Sequence, residues 1–437
     1  MTVEAARRVF LTLTVTRWFP IGLVVSVTVL LMVERGLSVG QALTNMSFAG
    51  IVVFLLELPT SGIADAMGRK PLLVTAAALQ VAVPVLYATA HSAVAFAVGA
   101  VVTGVFRALD SGPLTAWFVD TVHRTHPGAD VDRTLSQSSA VLGVSIALGA
   151  LVSGGLVWWH PVVAWSALTF PYVVYAVLAV VHLVATATLL REDADVPRRG
   201  GAAATGGGPV PAAERPRRGW GAALREARRA PRVVADGLRL ARDNRVLRGL
   251  LLVEVFWAAA MVVFESLMPL RLGEVLGSTQ RAGALMGVVA AVGWAVFAAG
   301  AGLAGLASGR FGVARTALAS RVLNGLGAVW MGLVAGPVAL VAAYLVTYGL
   351  HGSGGPVYEA LLHREAAASN RSTVLSMASM LGFASFAVAS PALGWTAQSV
   401  STPVAMVLGG AFSVLGAVCF VPALRREREL GAVAARV

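Results

Sequence analysis

The sequence predicts an all-α integral membrane protein, with about twelve transmembrane helices in two bundles of six joined by a long arginine-rich loop. Three observations predict it: a composition suited to lipid, apolar runs of membrane-crossing length, and arginines confined to alternate connections. Of the 437 residues, 57% are hydrophobic and only 13% are charged, and the mean hydropathy is +0.76. A soluble domain is about 45–50% apolar and about 25% charged. This chain cannot cover its apolar surface with polar groups, so the bilayer is its solvent. A net charge of +12 would point to nucleic acid in a soluble protein. Here the excess arginine lies between apolar runs, and no nucleic-acid partner is expected.

The first bundle, residues 1–190, contains apolar runs at 9–33, 41–63, 71–90, 93–118, 135–158 and 162–190. The second, residues 246–437 with a short tail, contains runs at 246–272, 280–306, 314–335, 337–361, 372–396 and 402–424. Each can cross a hydrocarbon core about 30 Å thick at about 1.5 Å per residue. Helices satisfy their own backbone in lipid, which excludes open strands. The run 9–33 exceeds the apolar part of a signal peptide and leads into further spans, so it reads as a retained first helix. Between the bundles, 191–219 is rich in Pro, Gly, Ala and Arg and reads as a flexible linker. Trp220 to Asn244 reads either as a basic amphipathic helix on the membrane surface or as solvated chain. The single cysteine, Cys419, excludes an intrachain disulfide.

Orientation follows from the arginines. One set of connections carries Arg69, Lys70, Arg124, Arg133, the central loop, Arg310, Arg315, Arg364, Arg371 and the tail Arg425, Arg426 and Arg428. The alternate set carries little beyond Arg35, Arg271 and Arg281. The positive-inside rule places both termini and the central loop in the cytoplasm. A composition rich in Ala, Gly, Val and Arg suggests a GC-rich bacterial gene, hence the inner membrane.

The halves repeat weakly. Ser61-Gly-Ile-Ala-Asp65-Ala-Met-Gly68-Arg69-Lys70 aligns with Gly305-Leu-Ala-Ser-Gly309-Arg310-Phe-Gly312 at an offset of 244 residues. Arg133-Thr-Leu135-Ser136 likewise resembles Arg371-Ser-Thr-Val-Leu375-Ser376. Two six-helix halves in parallel repeat resemble the major facilitator superfamily. That family carries Gly-x-x-x-Asp-(Arg/Lys)-x-Gly-Arg-(Arg/Lys) between its second and third helices. Asp65, Gly68, Arg69 and Lys70 match it, while Ser61 and Ala66 depart from it. Glu57-Leu-Pro59-Thr-Ser-Gly62 is similar to bacterial multidrug-efflux members. The resemblance implies secondary transport by alternating access, with this loop locking one conformation. The residues suggest the same lock: Arg69 and Lys70 can pair with Asp65 or with Asp120, and Asp65 is expected near the start of the third helix, at its positive dipole end. Their alternative role is that of ordinary positive-inside anchors. Gly309 replaces the acid in the second copy. Drug–proton antiporters carry Gly-Pro-x-x-Gly-Gly in the fifth helix; here Gly154-Gly155 fits, but Ala150 and Leu151 replace Gly-Pro.

A charge at mid-bilayer costs at least about 2.5–3.5 kcal/mol, so each one needs a reason. Arg17, Glu57, Arg107, Asp110, Glu254, Glu265, His351 and Glu359 lie inside apolar runs, mostly in the first, fourth, seventh and tenth. These four helices line the central cavity in the family that the chain resembles. Arg107 and Asp110, three apart, either neutralise one another or serve the cavity. Arg17 either snorkels to the membrane surface or faces the cavity. Glu57 can pair with Arg17 or Arg107. A carboxylate without a fixed cation in an apolar cavity can carry a proton near neutral pH. Glu265, beside Phe264, is the first candidate for coupling, with Glu254, Asp110, Glu57 and His351 behind it. The Gly/Pro-rich surroundings of His351 predict an irregular, water-accessible backbone. Trp257, Phe264, Tyr348 and Tyr358, with Arg17 and Arg107, are candidates to line the substrate cavity.

No phosphate-cradling loop and no Cys/His metal cluster occurs in the sequence, so neither ATP hydrolysis, a cofactor nor enzymatic activity is expected. The expected partners are a small-molecule substrate, protons and membrane lipids, with the chain a monomer. The leading expectation is proton-coupled efflux of a lipophilic, drug-like compound. Proton-coupled uptake of a small metabolite is the alternative, and a non-transporting scaffold or sensor is the alternative of another class.

Overall fold

The computed structural model describes residues 1–191, 230–367 and 370–434. The expected flexible segment 191–219 and the first part of the Trp220–Asn244 segment fall almost wholly outside them. The described residues form helices joined by short turns, and nine rods are long and apolar enough to cross a membrane by length and composition. The first half runs α1 (Val3–Gly22, continued by Thr28–Glu34), α2 (Val39–Met67), α3 (Arg69–Thr89), α4 (Ala93–Asp110, continued by Pro113–Thr125), α5 (Asp132–Trp159) and α6 (Phe170–Leu189). The second runs α7 (Arg245–Val262, continued by Met268–Leu276), α8 (Thr279–Phe311), α9 (Val313–Leu333), α10 (Pro337–Glu365), α11 (Arg371–Ser399) and α12 (Thr402–Leu415, continued by Val421–Ala434). The protein is an all-α, multi-pass membrane protein of two bundles.

Several expected boundaries shift. The first span is two helices rather than one, because the backbone loosens over Leu23–Val27. The sixth begins at Phe170, with Pro171 in its first turn, where a missing N–H costs nothing. Asp65 lies in the last turn of α2 rather than at the start of α3. The helix continues until Gly68, whose φ of 104° only glycine adopts without strain. Gly312 makes the same turn before α9, with φ 90° and ψ 155° against 104° and 156° at Gly68. The repeat seen at an offset of 244 residues is therefore a repeat of backbone conformation.

Lipid is as apolar as a leucine side chain, so close packing rather than hydrophobic driving force joins helices in a membrane. Small residues supply it. Gly154 of α5 faces the backbone of Ala284 and Gly287 of α8, and Gly394 of α11 faces Leu43 of α2. These two helix pairs, α5 with α8 and α2 with α11, are the main joints between the halves. The hydrogen bonds seen between the halves lie toward the end remote from the termini: Gly40 to Gln398 at 3.1 Å, Ser390 to Leu43 at 2.9 Å, Thr279 to Glu34 at 3.4 Å and Gln280 to Val157 at 3.5 Å. Beyond Gly300, α8 is exposed on most of its surface, with Leu303, Leu306 and Phe311 all open. The hydrogen bonds seen between the halves thus gather at one end, and toward the other α8 turns apolar side chains outward. The helix Ala230–Asp243, part of the segment expected to be amphipathic, rests Gly237 on Met377 of α11.

Candidate functional site

In the first half the charges meet across helices. Arg17 of α1 pairs with Asp110 of α4, which is buried, and its guanidinium lies 4.4 Å from the Trp18 ring centre. Arg17 therefore does not snorkel, and Asp110 does not neutralise Arg107; the interhelical partner wins because it removes both charges from lipid at once. Just beyond Asp110, α4 breaks at Ser111-Gly112, where Gly112 has φ 90°, and Pro113 restarts it. The break falls near the middle of the α4 rod. Glu57 of α2 stands within electrostatic reach of Arg107, but the two form no ion pair. One carboxylate oxygen of Glu57 is buried without a partner. His182 of α6 contacts the Thr16 hydroxyl at 2.9 Å.

At the terminus-bearing end, Arg69 meets Asp120 at 2.6 Å, tying the start of α3 to α4. Lys70 follows it in the first turn of α3. The side chains of residues 61–67, Asp65 among them, lie outside the described ones. In the second half the corresponding turn receives an acid from elsewhere. Glu427 of α12 accepts from the Val313 N–H at 2.8 Å and the Ala314 N–H at 3.2 Å. A carboxylate at the start of α9 satisfies donors that no helical carbonyl reaches and faces the positive dipole end.

The interior of the second half is arranged as a file along α7 and α10. Glu254 of α7 pairs with Arg321 of α9 at 3.3 Å, and both are buried. Arg321 stacks between Trp257, 4.6 Å away, and Tyr358, 5.3 Å away. The Tyr358 hydroxyl donates to the Leu250 carbonyl at 3.1 Å. Deeper, His351 of α10 is ringed by Trp257, Phe264, Phe297 and Tyr348 at centroid distances of 4.8–5.7 Å. Deepest is Glu265, which accepts a 3.0 Å hydrogen bond from the Tyr348 hydroxyl. Glu265 sits in a π-turn, Val263–Leu267, that interrupts α7. An extra residue in one turn shifts the side chains that follow and leaves carbonyls less tightly bonded, a device frequent at functional sites.

Two expectations change here. Glu254 has a cationic partner in Arg321, where the sequence reading gave it none. The backbone around His351 is not irregular: α10 runs unbroken through Gly352 and Pro356. Its glycines serve close packing instead, since Gly352 lies under the Phe297 carbonyl and Gly354 beside the Arg321 guanidinium. Irregular backbone occurs instead at Leu23–Val27, at Gly112, at Val263–Leu267 and at Gly416–Phe420. Sequence reasoning missed Arg321 as a partner, yet a signal was available. Arg321 lies eight residues past Val313 and Glu254 nine past Arg245, so both are about 12–14 Å from the same end. Opposite charges at equal depth in lipid have strong reason to meet. Among the described residues no group of His, Cys, Asp and Glu is arranged to hold a metal.

The architecture has known counterparts. The sequence profile of the Major Facilitator Superfamily matches residues 10–355. No curated protein matches the chain in sequence. Among solved structures, the nucleoside transporter NupG superposes with a TM-score of 0.71 at 10% identity, covering 96% of this chain and 98% of that one. A POT family transporter in complex with 5-aminolevulinic acid gives 0.68 at 14% identity, with 96% and 98% covered. The peptide transporter POT in complex with sulfate gives 0.69 at 14%, with 96% and 94% covered. At these identities the likeness concerns the fold. With the profile spanning most of the sequence and the fold shared end to end, this chain belongs to the major facilitator superfamily, a transporter of small molecules rather than an enzyme.

Proposed function

We propose that the chain is a proton-coupled antiporter of the bacterial inner membrane, with both termini cytoplasmic, that exports a lipophilic, drug-like compound by alternating access. The observation that carries the coupling is the partner of Glu265. The buried carboxylates Asp110 and Glu254 each face a guanidinium, so protonating either one gives up an ion pair. Glu265 has a phenol. A carboxylate held by a neutral hydroxyl exchanges a proton without breaking an ion pair, and its π-turn gives α7 a point at which to flex. Of the aromatic residues expected to line a cavity, Trp257 is partly exposed, whereas Phe264 and Tyr348 pack in the core beside Glu265. We read the halves as parting toward the termini, which under the positive-inside rule is an opening to the cytoplasm, from which an exporter loads. Each entering proton contributes about 2.3 kcal/mol per 100 mV of membrane potential.

The second reading is proton-coupled uptake of a metabolite, favoured by the likeness to solved nucleoside and peptide transporters. Transport in proteoliposomes under an imposed pH gradient separates the two. The export reading expects a lipophilic dye to move against the proton flow, and that flow to be lost in Glu265→Gln. Movement of a nucleoside or dipeptide with the proton flow, and none of the dye, establishes uptake instead. Full gradient-driven flux in Glu265→Gln removes the coupling assignment.

A further inference from the structure

Three arginines lie deep in the spans described above: Arg17, Arg107 and Arg321. Two of them, Arg17 and Arg321, are neutralised by a carboxylate in contact. Arg107 is not. Among the described residues it makes no hydrogen bond or ion pair, and its guanidinium lies 5.2 Å from the Phe383 ring of α11. Glu57 supplies charge from a distance without touching it. None of its five N–H donors bonds to a described residue of the protein, on a side chain near the middle of a membrane span.

Arg107 does not face lipid. Helix α4 exposes a stripe of Val94, Val98 and Val101. At about 100° per residue, Arg107 points roughly opposite that stripe. It is nevertheless exposed and faces the other bundle, to which the neighbouring Phe383 belongs. A guanidinium is weakly hydrated and planar, and its forked donors match a planar oxyanion held by two parallel hydrogen bonds. Phe383 offers an apolar face beside that fork.

We infer that Arg107 is the receptor for an anionic group of the cargo, and that the cargo is an amphipathic organic carboxylate whose apolar body lies against Phe383. This rests on the opening between the halves being the substrate site, as proposed above, but not on proton coupling or on the direction of transport. An anion here completes the pattern that the other two arginines already show. Each intramembrane guanidinium then has an oxyanion, two of them built into the chain and the third brought by the substrate.

The test is binding to the full chain in nanodiscs at fixed pH and with no gradient, using naphthoate, naphthamide and naphthylmethylammonium as matched probes. Naphthoate is expected to bind at least about tenfold more tightly than naphthamide, the advantage of a charge-assisted pair. Arg107→Gln is expected to level the two, and Arg107→Lys to keep part of the preference, because a point charge replaces the fork. Naphthamide affinity staying within about threefold across the variants reports an intact cavity. Equal affinities for naphthoate and naphthamide in the parent, a preference for naphthylmethylammonium, or a carboxylate preference that survives Arg107→Gln each overturns the inference. Coupling through Glu265 is untouched by any of these results.

Discussion

The two halves share a topology and a turn, yet they distribute their charge differently. In the first half a carboxylate of α4 neutralises α1, α4 breaks beside it, and Arg107 remains unpaired toward the opening. In the second half α7 and α9 neutralise each other, α7 is distorted at Glu265, and an acid remains with only a phenol for a partner. The first half keeps Arg107 and Glu57 outside any ion pair, and the second keeps Glu265 with a phenol. Two copies of one bundle have thus reached complementary chemistry. A transporter that must read a cargo and a proton at once gains from holding the two tasks in separate bodies that move against each other.

The largest expected effects test whether the buried pairs are equivalent. Removing one partner, in Asp110→Ala or Glu254→Ala, leaves a buried guanidinium uncompensated and is expected to cost about 3–5 kcal/mol in each half. The double variant Arg321→Met with Glu254→Leu, which replaces the pair by apolar volume, is expected to recover most of that loss. Thermal unfolding in detergent measures both. A Glu254→Ala variant as stable as the parent breaks the comparison, because the second-half pair is then not a fixed one.

Smaller effects distinguish the two equivalent turns. Glu427→Gln removes a charge that caps α9 and is expected to cost about 1 kcal/mol. Asp120→Asn removes the Arg69 partner at a site where the carboxylate is half exposed, and its stability cost is expected to lie within about 1 kcal/mol. If Arg69–Asp120 is a latch, the second variant changes the balance of open and closed forms rather than stability. Thiol labelling at positions along α5 and α8, in a chain with Cys419 replaced, reads that balance. An unchanged labelling pattern in Asp120→Asn makes the pair a simple anchor.

The fold was legible because lipid imposes long apolar runs and polar connections, and the repeat at Gly68 and Gly312 survived because only glycine tolerates that turn. The intramembrane charges were legible as a set, since lipid makes every charge conspicuous. Their pairing was not. Asp110 looked like a neighbour of Arg107 because sequence shows spacing along one helix, whereas Arg17 reaches it through space. Arg321 pairs with Glu254 across two helices, which the order of residues along either one does not show. The π-turn leaves no mark in Val263-Phe-Glu265-Ser-Leu267 that distinguishes it from ordinary helix, because it is fixed by how α7 packs on α10 and α12. The glycines of α10 were read as loosening the helix. In lipid they do the opposite, admitting α8 closely enough to hold it straight.

The central claim, that the proton is handled in the second half at Glu265 apart from cargo binding, is tested most directly in proteoliposomes by comparing gradient-driven flux with substrate counterflow. Counterflow exchanges labelled for unlabelled cargo and needs no net proton movement. The account predicts that Glu265→Gln loses gradient-driven flux while counterflow continues near the parent rate. Loss of both together, or retention of both, contradicts it.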